Sequence, residues 1–171
     1  MESIIIVNPS ETLYYLYIEI MTGFIKQSCG GELLKNKDTK ILIGLSRNLH
    51  ALHRQTAQLL LQHNLTLSQF GVLEVLFSKG ELRIGEVQDK ILSSTGTMPT
   101  ILKNLERQQY IQKIPDTQDK RATKLQLLPK GQELVETILP ENLKRIERYC
   151  SRLTENEKVE LIHLLKKLGG K

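Results

Sequence analysis

The sequence predicts a mainly α-helical chain with one small β-hairpin, and three observations carry that reading. Apolar residues recur at helical spacing through most of the 171 residues. Two short stretches, 110–114 and 124–127, read as strands on either side of a polar tip that holds Asp119, Lys120 and Arg121. In the second, Leu125 and Leu127 take one face and Lys124 and Gln126 the other. Just upstream, two short helical stretches are separated by Leu92-Ser93-Ser94. Helix, tight turn, helix and basic hairpin is the order of a winged helix-turn-helix. In that arrangement the hairpin reaches a DNA minor groove beside a helix docked in the major groove.

Each element has its own local justification. Residues 8–28 read as a first helix: Pro9 and Ser10 give a start signal, and Leu13, Leu16, Tyr17, Ile20 and Phe24 share one side. Gly30-Gly31 end it, and 36–38 form a linker. A second helix over 39–63 carries Ile41, Leu45, Leu49, Leu52, Thr56, Leu59 and Leu60 along one stripe. It is longer than a small core needs, which points to an oligomer interface. Thr66, Leu67 and Ser68 start a third helix with Phe70, Leu73, Leu76 and Phe77, ending at Gly80. Ile84, Val87 and Ile91 define a short helix over 84–91.

After the turn, Ser94 or Thr95 caps a helix whose Met98, Ile101, Leu102 and Leu105 face inward. Pro99 falls within its first turn, where at most one intrahelical hydrogen bond is lost. Beyond the hairpin, Pro129 suits the first position of a helix over about 130–153. That helix uses Leu134, Ile138, Leu143, Ile146 and Tyr149, and Pro140 should kink it. Thr154-Glu155-Asn156-Glu157 is a capping box for a last helix with Leu161, Leu164, Leu165 and Leu168, closed by Gly169-Gly170. The expected organisation is an N-terminal extension (1–40), a dimerisation helix (41–65), a winged helix-turn-helix (66–131) and C-terminal dimerisation helices (132–171).

Composition narrows the function classes. Hydrophobic content of 40% suffices for a core, whereas 5% aromatic residues and no Trp disfavour a large aromatic cage. No apolar run approaches the ~20 residues that span a bilayer. Residues 1–7 contain an apolar run but no basic region and no small-residue cleavage site, so a cytoplasmic location is the expectation. The net charge of +5 is concentrated: 83–131 holds nine Lys or Arg against five acids, a surplus of +4 that leaves +1 for the rest. One positive third fits an electrostatic DNA footprint. No Gly-x-Ser-x-Gly, phosphate-binding glycine loop or His-Glu-x-x-His is present, so no enzyme and no cofactor are expected.

The chain resembles the MarR family of winged-helix transcriptional regulators over roughly residues 41–168. The most specific part is Asp119-x-Arg121-x5-Leu127-x3-Gly131, close to the family's Asp-x-Arg…Leu-Thr-x-x-Gly wing signature. Leu128 stands where Thr is usual, which puts a helix cap in doubt. Leu67-Ser68-Gln69-Phe70 and Leu105-Glu106-Arg107 also look like family positions. The run 91–96 and Pro140 look most like the branch that responds to hydroquinones and catechols. The resemblance implies a homodimer with interlocked terminal helices and two winged domains over a palindrome on double-stranded DNA. It further implies a repressor released by a small phenolic, quinone-like or other hydrophobic effector.

On that expectation Ser94, Thr95, Thr97 and Thr100 offer hydroxyls to phosphates or base edges, and Lys103 adds charge. Helix capping is an equal reading of Ser94 and Thr95. Pro99 replaces a small polar residue usual in the family, which removes one hydroxyl contact. Arg121 is the candidate for the minor groove, with Asp119 orienting it by family resemblance, and Lys120 and Lys124 reach phosphates. Tyr14, Tyr15, Tyr17 and Phe24 pad the dimer interface or line an effector pocket. His50 and His53, one turn apart, could share a metal, but no Cys/His/Glu cluster completes a set and interface polar groups is the simpler reading. Cys29 and Cys150 could be redox-sensitive thiols or plain structural cysteines. The competing classes are a metal- or thiol-sensing regulator on the same fold, and a winged protein-interaction module without DNA binding.

Overall fold

A computed structural model describes residues 36–91, 98–119 and 121–170. The helix expected over 8–28, its aromatic residues and Cys29 lie outside these residues, as does the turn of Leu92, Ser93 and Ser94. In chain order the elements are α1 (Lys37–Leu61), α2 (Leu67–Lys79), β1 (Leu82–Arg83), α3 (Ile84–Ile91), α4 (Met98–Arg107), β2 (Ile111–Pro115), β3 (Thr123–Leu127), α5 (Pro129–Cys150) and α6 (Glu155–Leu168). Among the described residues no helix is long and apolar enough to cross a membrane.

Local chemistry sets most boundaries. The Asn36 side chain accepts the Asp38 N–H at 2.7 Å and starts α1. Thr66 with Gln69 and Thr154 with Glu157 form reciprocal capping boxes at α2 and α6. Two helices close in the same way. Asn64 and Gln109 adopt left-handed backbone, φ 55° and 59°, and the following N–H reaches back, Leu65 to the Leu60 carbonyl and Tyr110 to that of Leu105. At Gly80, which ends α2, φ 78° and ψ −151° describe a conformation open essentially to glycine alone. Leu128 takes the cap position of α5 with no side-chain hydrogen bond, and Pro129 supplies the start instead.

The expected hairpin is part of a three-stranded sheet. β1 pairs antiparallel with β3 in the order β1-β3-β2, with Leu82 opposite Leu125 and Arg83 opposite Lys124. A two-residue strand is too short to show alternation, which is why the sequence reading passes over it. Leu125 faces the core, where Leu59, Leu60, Leu73, Leu105 and Ile138 are all fully buried.

The inward face of α5 differs from the expected stripe. Gly131, Val135, Ile138 and Asn142 are buried, whereas Leu143 and Ile146 are exposed. Two contacts set that rotation. Thr56 Oγ1 donates to Asn142 Oδ1 at 3.0 Å, tying α5 to α1. At the other end, a Cβ on Gly131 would lie 2.3 Å from the Tyr110 carbonyl oxygen and 2.9 Å from Leu127 Cδ1. The same carbonyl accepts the Leu128 N–H at 2.9 Å. Lys130 adds to this junction, with Nζ 5.0 Å from the Tyr110 ring centre and 2.9 Å from the Gln108 carbonyl oxygen. The helix runs through Pro140, which is exposed.

Two apolar surfaces remain uncovered in one chain. α6 buries no residue, and Ile162, Leu164 and Leu168 are exposed. The N-terminal half of α1 exposes Ile41, Leu42, Leu45 and Leu49.

Gly131→Ala should therefore lower stability by ~1–3 kcal/mol, the usual range for overpacking against an unyielding neighbour. Urea unfolding at fixed protein concentration reads it as a lower midpoint, and an unchanged midpoint would refute the close approach as a constraint. Gln109→Gly should act in the opposite direction, by up to about 1 kcal/mol, because the left-handed backbone already exists.

Candidate nucleic-acid interface

Helix α4 is two-sided. Met98, Ile101, Leu102 and Leu105 are buried, while Thr100, Lys103 and Arg107 are exposed. Spacings of three and four residues place those three along one side of a helix. Thr100 and Lys103 are candidates from the sequence; Arg107 is not, although its position four residues past Lys103 was signal enough. Ser94, Thr95 and Thr97 lie outside the described residues, as does Lys120.

The hairpin tip is built by two aspartates that cap backbone N–H groups two residues ahead, the Asx turn. Asp116 Oδ1 accepts the Gln118 N–H at 2.8 Å, and Asp119 Oδ1 accepts the Arg121 N–H at 3.0 Å. The Asp119 carbonyl accepts the Ala122 N–H at 2.8 Å, and the Ala122 carbonyl accepts that of Asp116 at 3.1 Å. Asp119 thus meets Arg121 through the main chain, and the Arg121 side chain is exposed at the tip.

The organising group lies below the tip. The Asp116 side chain is 1% exposed, yet it is a carboxylate. Its Oδ2 lies 2.6 Å from Arg83 Nε, and its Oδ1 lies 3.9 Å from Lys124 Nζ. Arg83 is itself fixed at the main chain, its N–H donating to Glu86 Oε2 at 2.7 Å at the start of α3. The hydrogen bond from the Gln118 N–H and then that from Arg83 hold the Asp116 carboxyl below the usual carboxylate range, against the opposing effect of burial. The same contact raises the Arg83 guanidinium. Neither residue was singled out from the sequence for a role. The available signal was the Asp-x-x-Asp spacing of 116 and 119, which marks successive Asx turns.

On the same outer face, nearer the body, Gln112 donates to Gln126, and Gln126 donates to Glu81 at 2.7 Å. Lys113 Nζ lies 2.6 Å from Glu106 Oε2 and ties β2 to α4. His50 and His53 sit partly buried in α1, and no group of three His, Cys, Asp or Glu suited to a metal is assembled among the described residues. Cys150 is a half-buried free thiol at the end of α5.

A depressed folded-state carboxyl stabilises the fold above the unfolded pKa, about 3.9 for Asp, and that stabilisation is lost as pH falls through the folded value. Asp116→Asn should therefore be destabilising at pH 7, with the gap to the parent protein narrowing below about pH 4. Glu157, lowered by its bonds from Thr154, keeps a residual acid sensitivity in both proteins. Thermal unfolding across pH measures the gap; a gap independent of pH would show that Asp116 is not the ionised partner.

Comparison with known proteins bears on the same surfaces. The MarR family pattern matches residues 65–123, from the start of α2 through both turns of the tip. The HTH-type transcriptional regulator MhqR of Bacillus subtilis is 29% identical over 136 residues, covering 80% of this chain and 94% of that protein. The uncharacterized HTH-type transcriptional regulator YkoM, also from Bacillus subtilis, is 32% identical over 108 residues, covering 63% of this chain and 70% of its own length. Among solved structures, NadR in complex with 4-hydroxyphenylacetate superposes with a TM-score of 0.65 at 26% identity, over 75% of this chain and 91% of that one. A helix-turn-helix with one helix presenting a polar side, a wing tipped by Arg121, and these relatives lead to one conclusion: the chain belongs to the MarR family and is a DNA-binding transcriptional regulator.

Proposed function

We propose that two copies of this chain pair through α1, α5 and α6 and hold two winged domains over a palindromic operator as a repressor. The observation that carries the pairing is α6, a 14-residue helix with no buried residue. Isolated helices below ~12–15 residues are marginal in water, so packing against a partner is what would stabilise it. The exposed leucines and isoleucines of α6, of the first half of α1 and of α5 at Leu143 and Ile146 supply the matching apolar area. In this reading 41–65 and 132–171 serve pairing and 66–131 reads DNA.

Each half-site receives α4 in the major groove through Thr100, Lys103 and Arg107, with Ser94, Thr95 and Thr97 before it. Arg121 enters the minor groove, while Lys120 and Lys124 meet phosphates and Asp119 holds the Arg121 main chain. Two-fold symmetry sets half-sites about 34–36 Å apart. A two-fold protein seated on a promoter excludes other proteins from the same DNA, which makes repression the simplest output. A small phenolic or other hydrophobic molecule releases it by preferring the dimer whose reading helices are wrongly spaced. The phenolic acid bound to NadR supports that effector class.

Fluorescence anisotropy against duplex DNA from upstream of the chain's own gene tests this reading. Arg121→Ala should weaken specific binding by about tenfold or more, from roughly 1–3 kcal/mol per groove contact. A catechol, hydroquinone or 4-hydroxyphenylacetate should release the DNA. Tight binding indifferent to all three compounds removes the effector class and leaves the regulator. Light scattering should give a dimer that Leu164→Glu dissociates; a monomeric parent protein would end the pairing proposal.

A further inference from the structure

At the wing base Asp116 faces two cations, Arg83 at 2.6 Å and Lys124 at 3.9 Å, and Glu86 and Asp119 also act on Arg83. Burial is unequal. The carboxylate is 1% exposed, while the Arg83 and Lys124 side chains remain 43% and 28% exposed. The partly exposed cationic side chains can therefore meet a second anion while the carboxylate between them stays buried. Arg83 also meets Asp116 through Nε, and a guanidinium has four further N–H donors on its two terminal nitrogens. Arg83 and Lys124 are cross-strand partners on the outer face of the sheet, and β3 leads from Lys124 back to the tip that carries Arg121.

We propose that Arg83 and Lys124 form a phosphate clamp at the base of the wing, held in place by Asp116, for a backbone phosphate of the bound DNA. The proposal rests on the DNA-binding reading above. Free Arg and Lys side chains lose rotamer freedom when they settle on a phosphate. Here part of that ordering is made during folding: Glu86 fixes the Arg83 main chain, Asp116 accepts from Arg83 Nε at 2.6 Å, and the Lys124 ammonium is drawn towards the same carboxylate at 3.9 Å. Asp116 is a positioning residue, because it touches the two cations and not the nucleic acid. The clamp carries no sequence information. It sets where the wing lies along the backbone, and so where Arg121 meets the groove.

Salt dependence tests the clamp without knowledge of the operator, because non-specific binding is almost wholly phosphate contact. The probe is a labelled random-sequence duplex, titrated by anisotropy at several salt concentrations. The informative pair is Asp116→Asn against Asp116→Asn with Arg83→Gln, since neither strands an unpartnered buried carboxylate. The second should show a salt slope smaller by about 0.9 per protomer engaged. Lys124→Gln, which leaves Arg83 and Asp116 together, should lower the slope by the same amount with circular dichroism and melting little changed.

Asp116→Asn alone gives a second readout. It removes a negative charge, so net charge alone predicts tighter binding, whereas loss of the clamp's order predicts several-fold weaker binding with an undiminished slope. Equal slopes in the Asp116→Asn pair, or tighter binding by Asp116→Asn, would overturn the proposal. If the parent protein shows no salt-dependent binding to any duplex, it is the DNA-binding reading that fails.

Discussion

A buried carboxylate must be given donors or it will not stay ionised, and that requirement at Asp116 shapes the winged half of this protein. Its two oxygens draw in a backbone N–H from the tip, a guanidinium from β1 and an ammonium from β3. The hairpin and the distant β1 are thereby tied to one point. Arg83 is the residue on which the short strand, the start of α3 and the wing converge. The hydrophobic core beneath takes in Ile111 and Leu125 from the wing strands. The tip beyond them has no such core, and its shape is set by a few short polar contacts.

The other half obeys a different constraint. α1 is apolar along its length, but only its C-terminal part meets the core of its own chain, and α6 meets none of it. Among the described residues there is thus more apolar helix surface than they bury. The rotation of α5 shows the same division within one element. Val135 and Ile138 face inward, while Leu143 and Ile146 face away. In the proposed dimer a second copy covers this surface, each copy burying the other's exposed stripe.

That division explains what was legible in the sequence. Helix existence, the capping box at Thr154, the hairpin and the position of Pro129 follow from local spacing, and local spacing is what a sequence displays. The wing signature ending at Gly131 was legible too, although its reason, a carbonyl 2.3 Å from any Cβ, belongs to the tertiary structure. The apolar stripe of α5 joins Ile138, which is buried, to Leu143 and Ile146, which are exposed, because hydrophobicity does not say which chain a side chain faces. Arg83 and Asp116 were passed over for a further reason. They lie 33 residues apart, and each alone looks like an ordinary surface charge. Only the fold brings them together, and only burial of the acid makes the pair consequential.

The two halves meet where α5 begins, and the character of that junction bears on how an effector would act. Gly131 seats the helix directly against the Tyr110 carbonyl, Leu128 donates to the same oxygen, and Lys130 spans Tyr110 and Gln108. No side chain intervenes to absorb displacement, and packed interiors transmit strain rather than dissipate it. At its far end α5 is held to α1 by Thr56 with Asn142 and by Tyr149 with Asn48 at 2.6 Å. A molecule that alters how α1 and α5 pack in the proposed dimer would therefore tilt a helix whose other end is the base of the wing. The tilt would move Arg121 and α4 together, because β2 follows α4 directly, with the Tyr110 N–H held by the Leu105 carbonyl at 3.0 Å. On the proposed effector reading, release of DNA needs no unfolding of the wing, only a ligand with a preference between two spacings of an otherwise unchanged winged domain.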